Sequence, residues 1–239
     1  MALETAMVLA AGYGKRMQPL TETIPKPLVR LAGRPLIDHV LDRLAQAGVR
    51  EAVVNLHYLA DALEAHLRER QEPPRVGFSD ERAAVLDTGG GVKMALDRLG
   101  PDGFFVQNSD SVWIEDGESN LARLARQWDP AEMDALLLLA DVKGSLGYGG
   151  RGDFTLAEDG RLQRRAAEQT APYVFAGVSI AHPRLFADSP EGAFSLNPLW
   201  DRAIARGRLF GMPLHGEWMH IGTPEALEAA EQRLRQKAA

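Results

Sequence analysis

Cysteine is absent from the 239 residues of this chain, and so is any long apolar run. Without thiols, neither a disulfide framework nor a thiolate metal site can form, and a reducing compartment is permitted. No stretch approaches the roughly 20 apolar residues of a membrane-spanning helix, and the opening Met1-Ala-Leu-Glu-Thr5 lacks the basic start of a secretion signal. We therefore expect a cytoplasmic protein that has no membrane association.

The chain also lacks an excess of positive charge, since its 27 basic and 33 acidic residues give a formal net charge of −6. A general nucleic-acid binder needs a basic face for the phosphate backbone, so that class is disfavoured, whereas a nucleotide substrate needs only local cations. With 45% hydrophobic residues, the chain is long enough for one sizeable α/β domain. We predict a single domain over residues 1–239 and, by default, a monomer.

The stretch from Met7 to Leu20 is where local cations gather. It begins as an apolar run, Met7 to Ala11, typical of a buried strand and then breaks at Gly12 and Gly14, where backbone N–H groups can approach a phosphate closely because no Cβ intervenes. Lys15, Arg16 and Lys26 bring positive charge to the same loop. The stretch therefore predicts a phosphate-binding loop after the first strand.

Two better-known phosphate loops do not fit this stretch. A P-loop needs a hydroxyl residue after its lysine, but Arg16 follows Lys15. The dinucleotide fingerprint needs a third glycine, but Met17 stands there and Pro19 interrupts any helix. What remains is a loop with three cations, suited to wrapping a triphosphate.

Strand and helix patterns alternate along the chain. Predicted strands such as 51–56, 75–78 and 103–110 are separated by predicted helices such as 35–48 and 59–70. Alternation at this pitch predicts parallel βαβ units, hence an α/β fold with a Rossmann-like, mixed but mostly parallel sheet that helices cover on both faces. Ligands of such sheets bind at the carboxyl ends of the strands.

The loop and the segment after it resemble the signature of the sugar-1-phosphate nucleotidyltransferases. The matching residues are Leu9-Ala-Ala-Gly-Tyr-Gly-Lys-Arg-Met-Gln-Pro-Leu-Thr21 and Pro25-Lys-Pro-Leu28. The resemblance implies an enzyme that joins a nucleoside triphosphate to a sugar 1-phosphate and releases pyrophosphate. It implies nucleotide contacts from the loop, at Ala10, Ala11, Gly12, Gly14 and Lys15.

A second glycine-rich segment, Leu86-Asp-Thr-Gly-Gly-Gly-Val92, precedes a helix predicted to run to Leu99. Three glycines at a helix N-terminus let the backbone pass flat against a planar ring. In the family this position resembles the loop that reads the nucleobase, which implies base contacts from Asp87, Thr88 and Gly89. The alternative for Asp87 is a helix cap.

The strand that ends in Asn108-Ser-Asp110 places a carboxylate at the ligand edge of the predicted sheet. Such a carboxylate can hold Mg²⁺ against phosphate oxygens, with Mn²⁺ as an alternative ion. The triplet resembles the family's Asn-Gly-Asp with Ser109 in place of glycine, which implies that Asp110 binds the metal and that Asn108 lies by the sugar. The alternative for Asp110 is an N-cap.

Two later motifs bear on the sugar. Gly177 lies inside the predicted strand 173–180, where a bulge or a closely approaching ligand explains the missing side chain. The resemblance places this strand by the sugar. Gly150-Arg-Gly-Asp153-Phe resembles a segment of one branch of the family, the N-acetylmuramate-1-phosphate uridylyltransferases of cell-wall recycling, and implies sugar contact by Asp153. Mannose-1-phosphate guanylyltransferase is the alternative branch.

His220 departs from the family pattern, which has an aspartate there as second metal ligand. A neutral imidazole can bind a metal but suits softer ions than Mg²⁺ and adds no negative charge. His220 is therefore either a ligand of metal or phosphate or a packed histidine at the rim of the cleft.

The reaction that the resemblance implies needs no general base, because the attacking phosphate oxygen is already anionic. Catalysis then consists of positioning and neutralising two polyanions. We assign Arg16 to the β- and γ-phosphates, Lys26 to the α-phosphate or sugar phosphate, and Asp110 to Mg²⁺. The rival classes are a non-catalytic nucleotide-sugar sensor and a dinucleotide-dependent oxidoreductase. The oxidoreductase is disfavoured because Asn55-Leu-His57 stands where an acidic ribose reader is expected.

Overall fold

The computed structural model of the protein describes residues 3–238. Met1 and Ala2, which belong to the segment assessed for a secretion signal, lie outside these residues. The strands are β1 (Thr5–Leu9), β2 (Arg30–Leu31), β3 (Arg34–Pro35), β4 (Glu51–Leu56), β5 (Arg75–Asp80), β6 (Phe104–Asn108), β7 (Ser111–Glu115), β8 (Ala135–Asp141), β9 (Phe154–Leu156), β10 (Leu162–Arg164), β11 (Tyr173–Ala181), β12 (Leu209–Pro213) and β13 (Gly216–His220). The α-helices are α1 (Leu36–Gln46), α2 (Ala60–Glu69), α3 (Asp87–Ala95), α4 (Asn120–Gln127), α5 (Asn197–Ala205) and α6 (Pro224–Ala238).

A nine-stranded mixed sheet forms the centre of the molecule. Its main path runs β10-β9-β11-β6-β1-β4-β5, and off this path β8 pairs with β11 and β12 pairs with β8. Strands β6, β1, β4 and β5 are mutually parallel, because helices connect them, and β11 runs antiparallel to β6, β8 and β9. The predicted α/β class with a mixed sheet is confirmed.

Alternate residues of each central strand face opposite sides of the sheet, and each side carries a hydrophobic core. Ala6 and Val8 of β1 pack with α1, α2 and α4, whereas Met7 packs with α3 and α5 on the other side. Helices therefore cover both faces, as predicted. This arrangement leaves the carboxyl ends of β1, β4 and β6 open at one edge, where loops replace helices.

A smaller layer supports that edge. Strands β7 and β13 form an antiparallel pair, and α6 packs beside them. Met17, which is fully buried, inserts into the hydrophobic cluster that this layer makes with Val29, Leu31 and Ile221. The residue at the position of the missing fingerprint glycine is thus an apolar anchor for the phosphate-loop segment.

The observed elements correct several predicted bounds. The first strand ends at Leu9, two residues earlier than expected, so Ala10 and Ala11 belong to the loop. Helix α3 begins at Asp87, so Gly89, Gly90 and Gly91 lie inside the helix and do not precede it. Strands β2, β3, β7 and β12 were not predicted, because each is short or carries a mixed pattern. Within the described residues, no helix combines the length and the apolar character that crossing a membrane requires.

Candidate active site

A cavity of about 610 Å³ opens at the carboxyl ends of β1, β4 and β6. It is bounded by the phosphate-loop segment on one side and by the start of α3 on the other. The site residues predicted from the sequence that line it are Ala10, Ala11, Gly12, Gly14, Lys15, Arg16, Lys26, Asp87, Thr88, Asn108 and Asp110. Residues separated by up to 100 positions therefore meet at one edge of the sheet.

The phosphate loop (residues 10–17) is shaped by its two glycines in different ways. Gly14 has φ of +64°, a left-handed conformation that glycine adopts without strain, and its carbonyl accepts a hydrogen bond from Thr21 Oγ1 at 2.8 Å. Gly12 has no protein atom within 4 Å of where a Cβ would stand. The backbone at Gly12 is therefore open to the cavity, as close approach by a phosphate requires.

Lys26 and Asp110 form an ion pair in the cavity wall. Lys26 Nζ lies 2.5 Å from Asp110 Oδ2, and only 13% and 20% of the two side chains is exposed. Burial by itself raises the pKa of Asp110, but the Lys26 charge and hydrogen bond outweigh it, and the pKa lies below its ordinary value. Asp110 is therefore ionised at neutral pH and Lys26 is held in place.

His220 stands behind Arg16. The pairing of β7 with β13 sets it opposite Ser111, and its Nε2 lies 3.4 Å from an Arg16 guanidinium nitrogen. Burial lowers the pKa of His220, with Lys26 and Arg16 adding to the effect and Asp110 opposing it. The imidazole is neutral at neutral pH, so it can accept a hydrogen bond from Arg16. Its ring also stacks on Trp218, and it does not line the cavity.

The glycines at the start of α3 pack against protein atoms. A Cβ on Gly89 would run into the Phe194 ring, and one on Gly90 would meet the Gly192 carbonyl oxygen. The N–H groups of Gly89 and Gly90 both donate to the Phe194 carbonyl, and Gly89 does not line the cavity. The predicted role of these glycines in approaching a base is therefore replaced by close backbone packing.

Asp87 and Thr88 do face the cavity. Asp87 has φ of +59°, which aspartate tolerates better than most residues, and its Oδ1 accepts a hydrogen bond from the Thr88 N–H at 2.6 Å. The Asp87 side chain thus bonds the N–H of the next residue, whereas a helix N-cap bonds the N–H two or three residues further on. Thr88 Oγ1 accepts a hydrogen bond from Leu196 N at 3.0 Å, which fixes the loop from outside.

Two residues assigned to the sugar, Asp153 and Gly177, are not among the residues that line the cavity. Asp153 Oδ2 accepts a hydrogen bond from Phe175 N at 3.0 Å, so this carboxylate braces β11. Gly177 lies at a register shift between β11 and β8, with φ of +80°, and a Cβ there would stand 2.6 Å from Ser111 Cβ. The bulge is confirmed, and the close neighbour is a residue of the same chain.

Sequence reasoning did not assign several residues that line the cavity, among them Tyr13, Asn55, Glu81, Val85 and Ala193. Asn55 and Glu81 end or follow β4 and β5, and both are almost fully buried at 3% and 2% exposure. The rule that ligands bind at the carboxyl ends of parallel strands, applied to each strand in turn, points to both residues. Ala193 comes from a distant loop and carries no such signal.

The comparison with known proteins fits this geometry. The model of the nucleotidyl transferase family matches residues 5–152, which include both sides of the cavity. The chain belongs to the nucleotidyl transferase family. Its sequence is 51% identical to N-acetylmuramate alpha-1-phosphate uridylyltransferase of Caulobacter vibrioides, over 98% of each chain. It is therefore a sugar-1-phosphate nucleotidyltransferase, as the sequence predicted.

Other matches are more distant. The chain is 30% identical to the mannose-1-phosphate guanylyltransferase catalytic subunit beta of Xenopus tropicalis, across 92% of this chain but only 61% of that protein. A crystal structure of UDP-glucose pyrophosphorylase complexed with UDP-glucose superposes with a TM-score of 0.81 at 17% identity, covering 98% of this nucleotidyltransferase and 99% of that chain. At that identity the likeness concerns the fold.

Nucleotidyltransferases of this family generally use divalent metal ions, and the donor set of the cavity fits one. Within residues 3–238, no three or more histidine and acidic side chains cluster as a complete metal site. Mg²⁺ does not need such a cluster, since it is commonly held by one or two carboxylates together with substrate phosphates and water. Asp110 supplies one ionised carboxylate beside the phosphate loop.

Proposed function

We propose that this nucleotidyltransferase transfers the uridylyl group of UTP to N-acetylmuramate 1-phosphate and releases pyrophosphate. The observation that carries the reaction class is the meeting of Arg16, Lys26 and Asp110 at one cavity beside the phosphate loop. The name of the relative with 51% identity supports the choice of base and sugar. We place the reaction in the cytoplasm, in the recycling of cell-wall sugars.

The reaction requires neutralisation of the negative charge on the phosphates more than it requires proton transfer. An anionic oxygen of the sugar phosphate attacks the α-phosphorus in line, a new P–O bond forms, and pyrophosphate leaves with the electrons of the broken P–O bond. Arg16 neutralises the β- and γ-phosphates, and Lys26 neutralises the α-phosphate or the sugar phosphate. Because Lys26 is already held by Asp110, its charge needs little rearrangement during the reaction.

We propose Mg²⁺ as the metal, with Mn²⁺ as a substitute. Asp110 would hold it, and when bound it would offset the negative charge that accumulates on the phosphates. His220 is assigned to Arg16 and not to the metal, because its Nε2 faces the guanidinium and accepts a hydrogen bond from it. Asn108 is the residue of the predicted sugar set that lines the cavity.

A substrate screen tests the proposal. UTP, GTP, CTP and dTTP are each combined with N-acetylmuramate, mannose and N-acetylglucosamine 1-phosphates, and pyrophosphate release is followed. We expect the largest kcat/KM for UTP with N-acetylmuramate 1-phosphate. Preference for GTP with mannose 1-phosphate would establish the alternative, which the 30% identical relative supports. Binding of nucleotide-sugar without any release would establish the non-catalytic sensor.

A further inference from the structure

Two hydrogen-bonded chains join the phosphate loop to the loop that precedes α3. In the first, Ala10 N donates to Asn55 Oδ1 at 2.6 Å, and Asn55 Nδ2 donates to Glu81 Oε1 at 2.8 Å. Glu81 Oε2 then accepts a hydrogen bond from Leu86 N at 3.1 Å, directly before Asp87. Three side-chain contacts thus connect the two sides of the cavity.

The second chain runs parallel to the first. The Glu81 carbonyl lies 2.7 Å from His57 Nδ1 and can only accept, so Nδ1 carries the proton. In the neutral imidazole, Nε2 is then an acceptor, and the Tyr13 hydroxyl donates to it at 3.1 Å. Tyr13 belongs to the phosphate loop, so both chains start there and both reach Glu81.

In the first chain, the donor and acceptor roles of the buried side chains are fixed by their partners. Asn55 and Glu81 are 3% and 2% exposed, and a Cβ on Gly91 would stand 2.8 Å from Glu81 Oε1, so the pair is packed from behind as well. Glu81 faces two N–H donors, which a carboxylate satisfies and an amide cannot. Asn55 must present oxygen to Ala10 and nitrogen to Glu81. A buried pair with these fixed roles acts as a spacer between the two loops.

We propose that Asn55 and Glu81 are positioning residues that set the distance between the triphosphate end and the base end of the nucleotide site. The inference rests on the proposed function. A nucleoside triphosphate touches both loops at once, so a preset spacing lets its second end bind without further ordering. A ligand that touches only one loop gains nothing from the spacing. The network therefore selects for complete nucleotides over their fragments.

The test is to reverse which side chain donates and which accepts in the hydrogen bond between positions 55 and 81. Asn55→Asp sets two carboxylates against each other, and Glu81→Gln sets an amide N–H₂ against a donor. The double variant restores a complete set, because the new carboxylate at position 55 accepts from Ala10 N and from the new amide, whose oxygen accepts from Leu86 N. The net charge of the double variant equals that of the wild type.

Each protein is titrated, with Mg²⁺ present, with UTP, inorganic tripolyphosphate and uridine, and its melting temperature is recorded. We expect each single variant to bind UTP about tenfold or more weakly, since misplaced binding groups lose effective concentration, while its affinity for tripolyphosphate and uridine changes less than about twofold. The double variant should recover most of the UTP affinity. Equal losses for all three ligands, or unchanged UTP binding in both single variants, would overturn the inference.

Two further variants separate positioning from folding. Asn120 is also fully buried and also donates to a glutamate, Glu115, but it does not line the cavity. Asn120→Asp should lower the melting temperature and leave UTP affinity unchanged. Tyr13→Phe breaks only the second chain at a 44% exposed residue, so it keeps the fold and should weaken UTP more than tripolyphosphate. A wild type that binds no UTP would instead remove the proposed function itself.

Discussion

Lys26 and Asp110 are 84 positions apart in sequence, and the folded chain brings them into a hydrogen-bonded ion pair. The pKa of Asp110 is low because the Lys26 ammonium outweighs the effect of burial. In Lys26→Met, the effect of burial is opposed only by the charge of His220 and a backbone hydrogen bond, and we expect the pKa of Asp110 to rise relative to that of the wild type. Carboxyl ¹³C chemical shifts followed through an acid titration measure it. A pKa that stays low in Lys26→Met would show that Lys26 is not its cause.

The Lys26–Asp110 pair also determines the direction in which folding stability changes with pH. Because the folded-state pKa of Asp110 is lower than the unfolded-state value, its carboxylate stabilises the fold above the unfolded-state pKa, and this contribution disappears as pH falls through the folded-state pKa. Urea unfolding of wild type and Asp110→Asn should therefore differ most near neutral pH and converge in acid. Divergence of the two curves toward acid would contradict the assignment.

In the proposed reaction, Arg16 and Lys26 supply the positive charge that neutralises the phosphates. We expect Arg16→Ala and Lys26→Ala to lower kcat by about 10²-fold or more, the loss typical of removing one preorganised charge donor. Steady-state pyrophosphate release measures it. Lys143→Ala is the matched control, since Lys143 is an exposed lysine that does not line the cavity, and it should retain full activity. Near-wild-type turnover in both active-site variants would remove the mechanism.

Gln107 is a residue whose polarity the structure does not use. It lies in the central strand β6 with no exposed surface, and neither its amide oxygen nor its nitrogen has a hydrogen-bond partner within residues 3–238. A buried amide without partners costs about 1–3 kcal/mol. Gln107→Met, which is similar in size, should raise the free energy of unfolding by about 1 kcal/mol in urea titrations. A loss of stability would indicate that the amide has a partner in solution.

At the scale of elements, the glycines of the two loops serve different purposes. Gly12 faces open space, so Gly12→Ala should leave the free energy of unfolding within about 0.5 kcal/mol of wild type while weakening UTP binding. In Gly90→Ala, the new methyl meets the Gly192 carbonyl, and overpacking of this kind costs about 1–3 kcal/mol despite the better helix propensity of alanine. Urea unfolding and UTP titration of both variants test this contrast; equal effects in the two would contradict it.

The elements that the sequence predicted well are those with a strong local pattern. The bounds of β4, Glu51–Leu56, match the prediction, and α1 and α2 differ by one or two residues at their ends. The predicted start of α3 was wrong because three glycines normally end or precede a helix. Here the glycines lie inside the helix, and Gly192 and Phe194 occupy the space that side chains at positions 89 and 90 would need.

At the scale of the whole molecule, the single domain remains a prediction with a direct test. The tryptophans report on both faces of the sheet, since Trp113, Trp128 and Trp218 lie in one core and Trp200 lies in the other. If the two faces fold as one unit, urea transitions followed by tryptophan fluorescence and by far-UV circular dichroism should coincide. Two separated transitions would indicate independent units. Sedimentation in the same buffer tests the predicted monomer.

The sequence by itself determined the α/β class and indicated the glycine-rich loop after β1, the three cations and the carboxylate that line the cavity, because these depend on local patterns and on a contiguous signature. It did not determine which residues connect the loops. Asn55 and Glu81 become parts of the site only because β1, β4 and β5 lie side by side, and strand adjacency is a property of the folded sheet. The place of His220 behind Arg16 and the packing of Gly89 and Gly90 against residues 192–194 were likewise decided by contacts between segments roughly 100 to 200 positions apart.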